Sequence, residues 1–528
     1  MGIRRFIRVL LWIVLGVVLA GAIAFVVVIA YPAPLERWLQ DRVVLALREH
    51  YGSEVTLQNL QLTVRPLLHA TADNLVVPNR GDASLPPLIT VRHLVVQAQL
   101  VELLATPVHI RTLQLDGLEI RVGHKRSPEQ GGATPAARSA NPHARKPRHT
   151  HLANFVVDKV EADGAKLYIL RQDPAREPLL FDLRKLELRS AGTHRPMRFT
   201  AELTNPTPPG LIESSGHFGP WNFDDASTTA LGGHYTFQHA DLSVFNGISG
   251  ILSSVGDYSG ELDNILVDGT TDTPDFKLDR GGEAVHLTTS FHAIVDGTNG
   301  NTYLKPVKAH FRNSDVVTNG GVVGHPGEKG KTITLDADIQ QSRVEDVLAL
   351  AAKSQPAVTG ALQVKTKINL PPGKQPVLQR MQLNGTFHVS QAHFTSDTIK
   401  RVMLEMSRRG QGRPQDKSIT DVAAELAGNF HLKDRTLSFA SLQFTVPGAE
   451  AQFKGSYNLR AQALNFAGDV RLRASLSEMV GGNKGWLLFP LDPLFSRHGA
   501  GTWLPMTIDG TREHPQVHVQ WGKLFGGQ

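Results

Sequence analysis

Between Val108 and Val122 the chain reads VHIRTLQLDGLEIRV, and its apolar residues recur at every second position. They run as Val108 and Ile110, then Leu113 and Leu115, then Leu118, Ile120 and Val122. Successive side chains of an extended chain point to opposite faces, so this period makes a strand with one apolar and one polar face. Similar runs, punctuated by Gly or Asp, fill the text after Gly216: GGHYTFQHADLSVF, VTGALQVKTKINLPPG, MQLNGTFHVSQAHFTS and LKDRTLSFASLQFTV. One-faced strands joined by tight turns form antiparallel sheets wetted on one side. The apolar face must then be covered by a second sheet, closed into a barrel or curled into a trough. Few helical segments are available to cover it. The expected fold is mostly β: an elongated, curled antiparallel sheet forming a groove, with a few short helices, behind an N-terminal transmembrane helix. A groove lined by Val108, Ile110, Leu113, Leu115, Leu118 and Ile120 would accept acyl chains, since each buried CH₂ is worth about 0.8 kcal/mol. A dry core filled by side chains is the alternative.

Shorter signals fill in the order. Val55 and Leu57 alternate, the phase slips near Asn59, and the pattern resumes at Leu60, Leu62 and Val64, which reads as a β-bulge. Ile89-Thr90-Val91, Phe155-Val156-Val157, Ala165 to Ile169, Leu183 to Leu188 and Phe199 to Leu203 fit short strands. Two helical interruptions are expected. Val344 to Ala352 follows Ser342, with Glu345 at capping-box spacing, and Thr395 to Glu405 is less regular.

At the N-terminus, Arg4, Arg5 and Arg8 precede an uncharged apolar run from Val9 to Tyr31. That run is long enough to cross a hydrocarbon core of about 30 Å as one helix. The anchor residues are Val9, Leu10, Trp12, Leu19, Phe25 and Tyr31, with Trp12 and Tyr31 near the two headgroup levels. The arginines favour a cytoplasmic N-terminus, which leaves almost everything after Pro32 outside the cytoplasm, tied to the membrane by a single pass. A cleaved signal peptide would show a shorter apolar core and an Ala-x-Ala exit, and Ala30-Tyr31-Pro32-Ala33 is a poor one. Leu35 to His50 has helical spacing and either caps the first strands or lies on the membrane. Gly123 to Thr150 holds six Lys or Arg against one Glu and no bulky apolar residue, and reads as a mobile basic loop.

The chemistry is bounded largely by what is missing. The chain has no cysteine, which removes thiolate zinc sites, Fe–S clusters and cysteine nucleophiles. No HExxH, Walker A, GxSxG or dinucleotide fingerprint occurs. An excess of 55 Lys and Arg over 49 Asp and Glu, partly confined to one loop, argues weakly for nucleic acid. Asp268, Asp272, Asp275 and Asp279 lack the order of a calcium loop, and Asp272 before Thr273-Pro274 reads as a turn. His217, His234, His239 and His286 fall at polar strand positions. The expectation is a non-enzyme without cofactor, metal or nucleic-acid partner, although two carboxylates of a carbohydrate-active site could still meet in space. Trp486, Leu487, Leu488, Phe489 and Phe495 form an apolar patch between prolines: either a packed sheet end or a membrane- or partner-facing tip.

Three features together resemble the AsmA-like proteins of Gram-negative envelopes, relatives of TamB and of the bridge-like lipid-transfer proteins. They are the anchor with its following amphipathic helix, the block ITVRHLVVQAQLVELLATPVHIRTLQLDGLEIRV from Ile89 to Val122, and the C-terminal strands from Leu432 to Val470 and Leu504 to Val519. The resemblance implies a membrane-anchored periplasmic protein that guides phospholipid of the inner membrane toward the outer membrane and supports envelope integrity. It also leaves room for a structural or assembly factor with an outer-membrane or periplasmic protein partner. It carries no catalytic residues. The segments are then 1–31, basic flank and anchor; 32–122, helix and first strands; 123–150, basic loop; 151–430, repetitive β region; and 431–528, C-terminal β region.

Overall fold

The computed structural model describes residues 55–65, 67–78, 86–99, 108–122, 155–170, 177–192, 195–220, 226–279, 281–325, 328, 330–351, 353, 355–480, 487–496 and 501–520. The expected anchor, the Leu35–His50 helix and the basic loop lie outside these residues. Among the described residues no helix is long and apolar enough to cross a membrane. The chain is a mostly-β, many-stranded sheet protein with a few short helices. Its contacts divide it into two units: Met1–Thr236 with Asp257–Ile265 and Asp296–Asn299, and Phe237–Gly256 with Leu266–Val295 and Gly300–Gln528.

The first unit begins with β1 (Thr56–Arg65), β2 (Leu67–Val77), β3 (Ile89–Ala98), β4 (Val108–Asp116) and β5 (Glu119–Val122). It continues with β6 (Phe155–Ile169), β7 (Leu179–Gly192), β8 (Met197–Pro206) and β9 (Pro209–Phe218). The phase slip at Asn59 is a bulge: Asn59 takes φ +51°, and the β1–β2 register shifts between Gln58 and Gln61. The two short runs expected around Phe155 and Ala165 belong to one long strand, β6, with Gly164 at φ +64° between them. One feature departs from an all-antiparallel sheet. β4 and β5 both pair with β6 in parallel, with Leu115 opposite Ala162 and Ile120 opposite Leu167. Parallel neighbours need a connection of a dozen or more residues, and the chain between Val122 and Phe155 is long enough to supply one. Local alternation marks a strand but not the direction of its neighbour.

β10 (Ala230–Asp241), β12 (Ile251–Glu261) and β13 (Asn264–Leu278) carry residues of both units, and β11 (Ile248–Ser249) precedes β12. Asp272 is not in a turn. It lies inside the fifteen-residue β13, where the DGTTDTPDF stretch is extended throughout. The second unit continues with β14 (Val285–Val295), β15 (Thr302–Phe311), β16 (Ser314–Val323), β17 (Thr332–Arg343) and β18 (Val358–Leu370). It ends with β19 (Gln382–Phe394), β20 (Ala424–Lys433), β21 (Thr436–Val446), β22 (Ala449–Asn458), β23 (Ala463–Leu472), β24 (Thr502–Gly510) and β25 (Pro515–Val519). From β14 to β25 each strand pairs antiparallel with the next.

Helices punctuate this unit. They are α1 (Val344–Ala351), α2 (Val377–Arg380), α3 (Asp397–Gly410), α4 (Leu476–Val480) and α5 (Asp492–Phe495). α1 starts where expected, but Ser342 and Glu345 form no capping box. The Ser342 hydroxyl donates to Asp315 O at 3.1 Å. Glu345 instead accepts from the Arg343 side chain and, at 3.1 Å, from Gly360 N–H. Strand neighbours took both partners, so the anchoring of α1 falls to buried Asp346, which accepts from Ser314 Oγ at 2.9 Å and Asn313 N–H at 3.0 Å. α1 connects β17 to β18, α3 connects β19 to β20, and α4 and α5 lie between β23 and β24. In an antiparallel ladder these connections fall on one rim of the sheet. At the opposite rim β20 meets β21 across Asp434-Arg435 alone, both with positive φ.

Candidate functional site

The register of the second unit builds continuous apolar rows that cross the strands. One row runs Leu335, Ile368, Leu383, Leu432, Leu437, Tyr457 and Leu464. The next runs Ala337, Thr366, Gly385, Phe430, Phe439, Gly455, Phe466 and Ile508. A third runs Ile339, Val364, Phe387, Gly428, Leu442, Phe453, Gly468 and Met506. Each of the last two crosses eight strands. At about 4.8 Å per strand step that is roughly 34 Å of apolar surface.

Phenyl rings and glycines interlock on this face. Gly385 and Phe387, Gly428 and Phe430, Phe453 and Gly455, and Phe466 and Gly468 are spaced two apart, so each pair shares a face. Every one of these phenyls stands opposite a glycine of an adjacent strand. A Cβ on Gly428 would lie 2.9 Å from the Phe387 ring, and one on Gly455 would lie 2.8 Å from the Phe466 ring. Absence of a side chain is what lets the ring of the neighbouring strand lie flat there. The rings also meet each other, with centroids 6.3 Å apart for Phe387–Phe430 and Phe387–Phe439 and 6.0 Å for Phe439–Phe466.

Burial changes across the face. Beside the helical rim the residues form a closed core: Leu362, Val389, Ala424, Val446, Ala449, Ala451, Val470 and Leu472 are buried, and Val344, Val347, Met406 and Met479 of the helices pack against them. Phe387, Phe453 and Met506 pack against that core and are half-buried; Phe430, Phe439, Phe466, Leu437 and Leu442 are half-buried as well, while Leu432 is buried. The opposite face is polar, with Lys365 and Lys367 3.6 Å and 3.9 Å from Asp338 and Asp336, and with His393 3.1 Å from Asp421.

The first unit repeats the principle. One row is Ala72, Leu94, Leu115, Ala162, Leu186 and Ala201, and a parallel one is Ala70, Val96, Leu113, Val160, Leu188 and Phe199. Five of the six residues expected to line a groove can be placed. Leu118 is buried in the local core, and Leu115 and Ile120 pack against that core. Leu113 and Ile110 are half-buried opposite Val160 and Val157. For Val108 the structure describes the backbone pairing with Phe155. The row ends in polar chemistry at β9, where Ser214 Oγ lies 2.7 Å from the Tyr258 hydroxyl. Burial pushes the Tyr258 phenol above its ordinary range, and the Ser214 contact opposes that shift.

The acidic and histidine candidates do not converge. Asp268 and Asp272 pair with His292 and His286 at 2.7 Å and 2.5 Å. Asp275 accepts from Ile251 N–H and Asp279 from Gly247 N–H. His234 lies 3.1 Å from Asp257, and His310 lies 2.8 Å from Asp315. Among the described residues no group of three or more metal-ligating side chains assembles. A shallow concavity of about 610 Å³ on the polar face has Asp272 and Asp315 in its lining, each held by its own histidine. The larger surface missed by the sequence reading is the phenyl face. Its signal was present as the two-residue Gly–Phe spacing in NGTFHV, AGNFHL, QFKGS and NFAGD.

Compared with protein-family models, with curated proteins and with solved structures, the chain matches none.

Proposed function

We propose that this chain is a membrane-anchored periplasmic protein of the AsmA-like kind, which binds phospholipid on the apolar face of its sheet and guides it from the inner toward the outer membrane. The supporting observation is the row of half-buried phenyl and aliphatic side chains from Val364 to Met506, which continues the core beside the helical rim across the sheet. Such a face is costly in water and cheap under acyl chains. Its polar reverse, held by cross-strand ion pairs, would keep the outside of a curled groove wet. The apolar run from Val9 to Tyr31 would fix the first strands beside the leaflet that supplies the lipid.

Site-specific photocrosslinking of the full chain in its own membranes tests this. A benzophenone side chain at Phe439 forms phospholipid adducts readable by mass spectrometry, and one at Ser441 on the polar face does not. Folded protein without lipid adducts at Phe439, or with equal adducts at both positions, overturns the reading.

A second reading, an assembly factor for outer-membrane proteins, draws on β25. It pairs with β24, and Val517 on it is exposed. The same crosslinker at Val517 would then capture a protein strand in place of lipid.

A further inference from the structure

The segment Leu487–Phe495 is held firmly yet presents its large apolar side chains to solvent. Phe489 is 70% exposed, Leu487 61%, Leu494 41% and Leu491 40%. Fraying does not account for this. Phe495 of the same segment is buried, and the Asp492 carboxylate accepts from Ser477 N–H at 2.8 Å and from Ser477 Oγ at 2.6 Å. Those bonds tie α5 to α4. α4 in turn adjoins the C-terminal end of α3: Ala474 N–H donates to Gly410 O at 3.0 Å, and Gly412 packs near Ala474 and Glu478. That end of α3 and the turn after it are basic. Between Arg408 and Lys417 four Lys or Arg stand against one acid, and Arg413 and Lys417 are exposed.

Exposed leucine and phenylalanine on prolyl turns, next to a surplus of cations, is the pairing that anionic bilayers attract. The apolar groups enter the acyl boundary and the cations meet the headgroups. The surplus of cations beside an exposed apolar strip gives it the charge complementarity of an anionic headgroup layer. We propose that the Leu487–Leu494 surface, together with the basic end of α3, is a docking site for an anionic lipid membrane. This surface is separate from the phenyl face and does not depend on it.

The lack of cysteine allows a clean probe. The full chain carrying Phe489→Cys, labelled with an environment-sensitive nitrobenzoxadiazole group, is placed in phosphatidylcholine nanodiscs. Vesicles containing phosphatidylglycerol are then added. The expected result is a several-fold rise and blue shift of emission, reversed by salt, and no change for a label at Asn458→Cys on the opposite rim. Adding Leu487→Asp to the labelled protein is expected to weaken the response by roughly tenfold, as burial of apolar side chains in the interface requires. Silence with anionic vesicles overturns the proposal, as does an equal response to pure phosphatidylcholine vesicles. A response that grows with protein concentration without added vesicles assigns the surface to a second copy of the chain, and also overturns it. Lipid adducts at Phe439 report the groove separately, so either reading can fail alone.

Discussion

The ring of Phe453 lies against the backbone of Gly468 on the neighbouring strand, so closely that a Cβ on Gly468 would sit 2.6 Å from the ring and 2.0 Å from Gln452 O. The contact joins two rules of sheet construction. The period of two places both residues on the apolar face, and the missing side chain of glycine makes room for the phenyl.

Gly468→Ala is therefore expected to destabilise the second unit by about 1–3 kcal/mol, the range for overpacking a close contact. Urea denaturation of the purified chain checks it. An unchanged midpoint would refute the close approach of β22 and β23 at this glycine.

Removal of a polar group at the root of α1 has a different cause. Asp346→Ala strands the buried Ser314 hydroxyl and the N–H of Asn313. An unpaired buried donor such as the Ser314 hydroxyl costs about 1–3 kcal/mol, so the expected loss is of that size. Ser314 Oγ also accepts from Arg343 N–H at 3.1 Å, so Ser314→Ala is expected to destabilise as well, and a double-mutant cycle with Asp346→Ala should show the two losses to be less than additive.

Acid stability should carry a contribution from Glu345. Burial alone would raise its pKa, but the Arg343 side chain and the N–H of Gly360 outweigh burial and hold it below the ordinary 4.5. A carboxylate depressed in the folded state adds stability that is complete above its unfolded pKa and is lost as pH falls through the folded value. The urea midpoint of the native chain should thus fall from pH about 6 to about 3 more steeply than that of Glu345→Gln. Parallel curves would refute the role.

The polar face should be tolerant. Lys367 is 80% exposed and lies 3.9 Å from Asp336, a geometry in which ion pairs contribute little. Lys367→Ala is expected to leave the melting temperature unmoved, and a clear drop would mean that the strand edge there does more than stay wet.

In the first unit, Leu115→Asp with Ile120→Asp places charge on the apolar face beside Leu94 and Leu167. If that face is part of the lipid path, phospholipid recovered with the folded chain should fall. Undiminished lipid, measured by mass spectrometry after extraction, would remove the first unit from the path.

Much of this could be read without coordinates. Side chains of a strand alternate by geometry, so the text around Leu113, Leu115 and Ile120 determined the face each would occupy. The slip at Asn59 likewise announced a bulge. The Ser342 and Glu345 spacing announced a capping box that did not form, because Asp315 and Gly360, distant in sequence, offered competing partners. Asp272 looked like a turn because Pro274 is a local breaker. A fifteen-residue strand formed there, with His286 across from it.

By itself, then, the sequence determined strands, their two faces and the glycine–phenyl spacing, since these depend only on neighbours along the chain. The tertiary structure alone decided the parallel pairing of β4 and β5 with β6, the gathering of α1, α3, α4 and α5 on one rim, the partial burial of Phe439 and the exposure of Phe489. Those outcomes rest on pairings between residues far apart in the chain, where register and cover are set by the whole sheet and no local pattern records them.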